Sequence, residues 1–246
     1  MMKPLWGIDL GGTKIEGVIL KSVNDPEVIL RKRIPTEQAK GYEHIISRIK
    51  TLLDQMAVEA GIQADKIGIG TPGTVDPLSG LHKNSNTTCL NGKHFHEDLQ
   101  KALSLPVVMA NDANCFALAE ARMGVVNKEM PEANVVFGVI MGTGVGGGVV
   151  VNGKVLRGRQ GISGEWGHNF LDESGGVAYT GRKGVVETIL SGPALEKFYR
   201  SLTDENKSLK EIYQNYKEGK DEAAKKTMNR LTHFFWFGNF CGDQFA

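Results

Sequence analysis

The sequence predicts an α/β protein built of two related halves, and three observations carry that expectation. A strand-length apolar run, Leu5–Leu10, leads through Gly11-Gly12-Thr13-Lys14 into a second run, Ile15–Leu20. The same order returns later as Asn134–Met141, a glycine-rich junction spanning Gly142 to Gly148, and Gly147–Asn152, a weak internal repeat. Between the two units, Tyr42–Ala60 carries apolar residues at 45, 46, 49, 52, 53 and 56, a helical stripe that stops at Gly61.

The remaining elements follow in order. Gly11-Gly12 reads as a hairpin turn between the first two strands, and Val28–Ile34 as a third strand closed by Pro35. Ile67–Ile69 is a strand running into the tight turn Gly70-Thr71-Pro72-Gly73. Residues 76–94 are rich in Asn, Gly, Ser and Thr and read as a surface loop. Phe95–Leu103 reads as a short helix and Pro106–Ala110 as a strand. Asn111 is placed to cap a helix from Asp112 to about Met123. The stretch 153–180 is loop-rich, Glu187–Tyr199 is helical, and a Lys/Glu-rich helical region covers 208–231. The aromatic tail from His233 shows no clear helix period.

Composition excludes several function classes. The 246 residues carry 29 basic and 28 acidic side chains, so no electrostatic footprint for nucleic acid or an anionic membrane exists. Apolar runs fall short of the ~18 residues a spanning helix needs, and no signal-peptide pattern opens the chain. Cys89, Cys115 and Cys241 are odd in number and lack a C-x-x-C pair, which gives no disulfide framework. A reducing cytoplasm is the default location.

Four constellations carry chemistry. In Asp9-x-Gly11-Gly12-Thr13, glycines let backbone amides approach an anion, Thr13 adds a hydroxyl, and Asp9 can hold Mg²⁺ directly or through water. The alternative is a plain hairpin. Met141-Gly142-Thr143-Gly144 repeats the offer, and two such turns suit a nucleoside triphosphate. In Asn111-Asp112-Ala113-Asn114, the carboxylate at a helix start is kept ionised by the helix dipole and can accept a hydroxyl proton. An ordinary capping Asp is the other reading. Gly164-Glu165-Trp166-Gly167-His168-Asn169, followed by Glu187, sets polar side chains among glycines and suits sugar hydroxyls. A loop histidine with no site role, or a zinc ligand, are the alternatives for His168.

Together these motifs resemble the ROK family of bacterial sugar kinases, within the hexokinase and actin-like ATPase superfamily. The matching segments are Asp9–Lys14, Gly70–Gly73, Asn111–Asn114, Met141–Gly144 and Gly164–His168, in the family's order over residues 1 to about 232. The resemblance implies a two-domain actin-like (ribonuclease H-like) α/β fold of mixed sheets with flanking helices. It places an N-terminal domain at 1–112 and a C-terminal domain at 113–246.

It also implies roles. Asp112 matches the catalytic base. Asn111, Glu165, His168 and Glu187 match sugar contacts, and Gly73 and Asn84 fall where further contacts are expected. Asp9, Gly11, Gly12, Thr13 and Lys14 match the first phosphate site, and Gly142, Thr143 and Gly144 the second. The implied reaction is ATP- and Mg²⁺-dependent phosphorylation of a hexose or N-acetylhexosamine at its 6-hydroxyl, of glucose, fructose, mannose or N-acetylglucosamine type. The wording of 165–169 leans towards the fructokinase- and glucokinase-like members. A homodimer is an assembly that the family suggests. The other implied classes are an inactive or sugar-binding remnant and, behind it, a ROK-type regulator.

Two departures from the family pattern matter. Its zinc-binding Cys-x-Cys-x-x-x-x-Cys is replaced, with Ala178, Thr180 and Val185 at the thiolate positions, so no zinc is expected. Family members also continue for some tens of residues beyond Ala246. A C-terminally shortened fold is therefore expected, with poor ATP affinity and low stability.

Overall fold

The computed structural model describes residues 3–240. The chain divides into two compact units. The first comprises Met1–Ala119 with Arg157–Ser163, and the second Glu120–Leu156 with Gly164–Ala246. The helix that opens on Asp112 runs mainly with the first unit.

The first unit is organised by β1 (Leu5–Leu10), β2 (Lys14–Leu20), β3 (Val28–Pro35), α1 (Tyr42–Ala60) and β4 (Ile67–Thr71). Then follow the short strands β5 (Thr74–Val75) and β6 (His82–Lys83), α2 (Phe95–Leu103), β7 (Val107–Asn111) and α3 (Asp112–Arg122). The main sheet has the order β3-β2-β1-β4-β7. The β1–β2 pair, joined through Gly11-Gly12, and the β2–β3 pair, joined by the short connection 21–27, are antiparallel. The β1–β4 and β4–β7 pairs are parallel and so need crossovers, which α1 and α2 supply. Alternate residues of β1, namely Trp6, Ile8 and Leu10, are buried in one core with the α1 stripe Ile45, Ile49, Leu52 and Met56. Removing one such buried Ile or Leu side chain would cost about 2–5 kcal/mol.

The stretch 76–94 is a surface loop only in part: residues 77–79 and 91–94 are exposed. It also contains β6 and a 3-10 turn at Thr88–Leu90, and His82, Thr87 and Leu90 are fully or almost fully buried. Some of its polar residues tie backbone: the His82 Nε2 hydrogen-bonds the Pro72 carbonyl at 2.8 Å.

The second unit holds α4 (Val125–Glu129), β8 (Val135–Met141), β9 (Val145–Val151) and β10 (Lys154–Val155), then α5 (Glu187–Leu190), α6 (Gly192–Thr203), α7 (Leu209–Glu218) and α8 (Glu222–Phe240). Its sheet is the antiparallel order β10-β9-β8. Three expectations are corrected. The glycine run is not all turn, because β9 starts at Val145 and takes Gly146–Gly148 into the ladder. The helix expected over 187–199 breaks at Ser191, whose hydroxyl accepts from the Ala194 N–H and restarts the chain as α6. The region 208–231 is two helices separated at Gly219, which sits at φ 70°, and α7 opens on a Ser208–Glu211 capping box.

The aromatic run is helical after all as far as Phe240. Phe234 and Phe235 pack on the core of Val145, Trp166, Val186, Ile189 and Leu190, and the Arg230 guanidinium lies over the Phe198 and Phe234 rings. Tertiary burial there outweighs the missing period. Residues 241–246 of the tail, Cys241 among them, lie outside the described residues. Cys89 and Cys115 are free thiols. Among the described residues no helix is long and apolar enough to cross a membrane.

Candidate active site

In the first unit the carboxyl ends of three parallel strands gather the expected residues. Register pairs Asp9 of β1 with Gly70 of β4, and Thr71 of β4 with Asn111 of β7. Ligands of open α/β sheets bind at such strand ends. Asn111 is buried, and its amide makes three hydrogen bonds. Its Nδ2 donates to the Gly73 carbonyl at 3.2 Å and to Asp112 Oδ1 at 3.0 Å, while its Oδ1 accepts from the Asn114 N–H at 3.2 Å. The last bond caps α3, as the sequence predicts.

Gly73 is held at φ 77°, and a Cβ there would collide with the carbonyl of Lys83 and stand 2.9 Å from the backbone of Asn84. No other residue fits that position. Asn84 is itself left-handed, at φ 59°. The fold thus brings Gly73, Asn84, Asn111 and Asp112 together, including the two whose place in the loop was least fixed by sequence.

Asp112 is reachable by solvent yet ringed by protein. Burial pushes its carboxyl above the usual range, and the Asp9 charge adds to this. The Ala113 N–H, 2.9 Å from Oδ1, and the Asn111 amide act against it. Asp9 is raised as well, first by burial and then by Glu16, with Lys14 and Arg33 opposing. A carboxylate so placed is a better proton acceptor than an ordinary Asp. The turn at 11–14 is closed by the Gly11 N–H to the Lys14 carbonyl at 3.0 Å, and is anchored from outside by buried Thr36. The Thr36 hydroxyl donates to the Gly11 carbonyl at 2.6 Å.

In the second unit, Gly164 and Gly167 explain the glycine spacing of the segment 164–169. A Cβ at Gly164 would collide with the Gly147 carbonyl, and one at Gly167 with the Val145 carbonyl. Their absence lets the 3-10 turn Trp166–His168 lie backbone against backbone on β9. Trp166 pins it, donating from Nε1 to the Gly146 carbonyl at 2.9 Å. Glu165 and His168 then share one side, with His168 Nε2 4.0 Å from Glu165 Oε2. Glu187, the first residue of α5, accepts the Val145 N–H on Oε2 at 3.0 Å. It therefore stands at the turn 142–144, which also receives the Gly192 N–H on the Gly142 carbonyl at 2.8 Å.

One residue escaped the sequence reading. The Tyr179 hydroxyl lies 3.5 Å from His168 Nε2, and the two rings meet edge-on at 5.5 Å. Partial burial, then the Glu187 and Glu165 charges, raise its phenol. Tyr179 stands between Ala178 and Thr180, and no local pattern in the sequence marks it. The loop that carries it is held by backbone: the Ala178 N–H to the Arg182 carbonyl at 2.8 Å, the Gly184 N–H to the Gly176 carbonyl at 3.0 Å, and bridges pairing Phe170 with Val185 and Val177 with Lys183. Val185, at one thiolate position, is buried. Among the described residues no group of three His, Cys, Asp or Glu side chains is placed to hold a metal ion.

Comparison with known proteins adds three findings. The ROK family model matches residues 5–241. An N-acetyl-D-glucosamine kinase of Pectobacterium atrosepticum is 34% identical over 231 residues, which covers 89% of this chain and 73% of that protein. Among solved structures, a ROK hexokinase from Thermus thermophilus superposes with a TM-score of 0.80 at 29% identity, covering 96% of this chain and 76% of the other. A ROK glucokinase from Streptomyces griseus, solved with glucose and AMPPNP, gives 0.75 at 25% identity over 96% and 78%.

Proposed function

The chain belongs to the ROK family and is a sugar kinase, and from that premise we propose that it transfers the γ-phosphoryl group of ATP to the 6-hydroxyl of a hexose or N-acetylhexosamine. The observation that carries the reading is Asp112, a solvent-reachable carboxylate that opens α3 at the end of β7, its Oδ1 held by the Asn111 amide and the Ala113 N–H. It takes the hydroxyl proton as the bond from O6 to phosphorus forms and the bond from phosphorus to the departing ADP oxygen breaks. General-base assistance of this kind contributes about 10²–10⁴-fold. Asn111, Gly73 and Asn84 of the first unit, and Glu165, His168 and Glu187 of the second, are the sugar contacts this reading assigns within each unit. The turns at 11–14 and 142–144 receive the phosphates.

A divalent cation belongs to the same reading. Asp9 at the end of β1 and Asp112 after β7 offer carboxylates at strand ends on either side of β4, and Mg²⁺ needs one or two when water and phosphate oxygens complete its shell. Asp9 would hold it, and the ion would supply charge neutralisation on the phosphoryl oxygens. Zinc does not fit the thiolate-free loop at 176–185. We expect elemental analysis of the dialysed protein to find none, and one zinc per chain overturns that.

The N-acetyl-D-glucosamine kinase among the relatives supports that sugar as the first acceptor to test. ATP as donor and a cytoplasmic location belong to the same reading, and a homodimer is its proposed assembly. The test is a coupled ADP-release assay with N-acetyl-D-glucosamine, glucose, fructose and mannose, the product position read by NMR. We expect one or more to give the 6-phosphate. A folded chain that releases no ADP above the sugar-free background with any of them overturns the proposal.

A further inference from the structure

Glu187 does two things at once in the second unit. Its Oε2 takes the Val145 N–H at 3.0 Å, at the residue that closes the turn 142–144 and begins β9. Its Oε1 makes no hydrogen bond to the described residues. Gly144 leaves room for the carboxylate, since a Cβ there would stand 2.6 Å from Oε2. The chain beyond Glu187 grips the same turn a second time, through the Gly192 N–H on the Gly142 carbonyl at 2.8 Å. So α5, four residues long, carries a carboxylate at one end and is followed by a backbone clamp at the other, both on one phosphate turn.

We propose that Glu187 is the positioning residue of the second phosphate turn, one oxygen fixing the turn while the other is left for the acceptor, so that sugar binding and triphosphate binding are coupled through one side chain. The inference rests on the kinase reading and adds to it. A sugar bound to Oε1 orients the carboxylate and with it the bond to Val145. An ordered turn meets the phosphates at lower entropic cost, and thermodynamic reciprocity then requires the nucleotide to tighten the sugar by the same factor.

The experiment measures AMPPNP binding by calorimetry, with and without N-acetyl-D-glucosamine, on the intact chain and on Glu187→Ala, Glu187→Gln, Gly144→Ala and the Glu187→Ala/Gly144→Ala double variant. In the parent, sugar should tighten AMPPNP about fivefold. Losing a charged acceptor should weaken AMPPNP about tenfold in Glu187→Ala and abolish the coupling. Glu187→Gln retains an oxygen for the Val145 N–H and should restore AMPPNP to within about threefold. Gly144→Ala displaces the carboxylate without altering it and should copy Glu187→Ala towards AMPPNP. The double variant should be no worse than the single, because both act through one bond.

Equal AMPPNP binding by parent and Glu187→Ala overturns the inference, as does a Gln variant as weak as the Ala variant or strict additivity in the double. A folded parent that binds no AMPPNP at all strikes the kinase reading itself.

Discussion

The two Gly-Thr turns look alike in sequence and are supported in different ways. The turn at 11–14 closes on itself through the Gly11 N–H and the Lys14 carbonyl, and a neutral hydroxyl, Thr36, anchors it from 25 residues away. Its neighbouring carboxylates, Asp9 and Asp112, stand at strand ends and are both raised by burial. The turn at 142–144 is anchored by a carboxylate, Glu187, 42 residues away, and by the Gly192 amide. A repeat therefore preserves the strand–turn–strand hairpin, while each copy takes its support from whatever the later chain provides. In the first unit the acids take no part in holding the turn; in the second, an acid is part of the turn's support.

The largest effect expected from this contrast falls on the first side. Asp112→Asn should lower kcat by about 10²–10⁴-fold with sugar affinity nearly unchanged, since Asn keeps an oxygen for the Ala113 N–H. Substitutions at the second turn should instead act mainly on nucleotide KM. Steady-state kinetics on both sets check this, and turnover of Asp112→Asn within threefold of the parent breaks the assignment of the base.

A smaller effect separates the turns themselves. A Cβ on Gly11 would stand 2.9 Å from the Lys14 carbonyl oxygen, which is backbone and cannot step aside, whereas a Cβ on Gly142 meets nothing within 4 Å. Gly11→Ala should lose about 1–3 kcal/mol of stability. Gly142→Ala should stay within about 0.5 kcal/mol of the parent. Paired urea melts decide it, and equal losses at both positions would erase the contrast. Thr36→Val tests the same anchor from outside, with an expected loss of about 1–2 kcal/mol from the unmade bond to Gly11.

How much of this was legible in sequence follows from where each support lies. The α1 helix is recovered at both ends, because its stripe and its Gly61 stop are local signals. Asn111 as the cap of α3 was readable because an Asn directly before a helix is a local signal, whereas the contact of Gly73 with the backbone at Asn84 rests on the fold. What escaped depends on distant contacts. The glycines at 146–148 read as turn because their strand role is set by the Trp166 turn lying on them. The helix after Phe234 lacked a period because its aromatics answer to a core assembled from 139 to 190. Polar residues at 82–91 read as surface because the burial of His82 comes from a bond to Pro72. The Glu187 carboxylate was expected among sugar contacts, and nothing local reveals its bond to Val145.

The smallest effect concerns stability and pH at Asp112. Its folded-state pKa lies above the unfolded value, chiefly through burial. The folded chain therefore binds the proton more tightly than the unfolded one, and the parent loses stability as pH rises from the unfolded pKa through the folded one. Asn removes that titration while keeping the Oδ1 acceptor. Asp112→Asn should accordingly melt higher than the parent at pH 7–8, and the advantage should shrink as pH falls towards 4, where the parent's carboxyl becomes protonated. Solvent reaches this side chain and screens it, so the gain should be modest beside the loss in kcat. Thermal melts of parent and Asp112→Asn across pH 4–8 provide the measurement. A variant less stable than the parent at neutral pH, or a difference independent of pH, would mean that the hydrogen bonds to Asp112 outweigh its desolvation. The first side would then resemble the second, with its acid serving as structure.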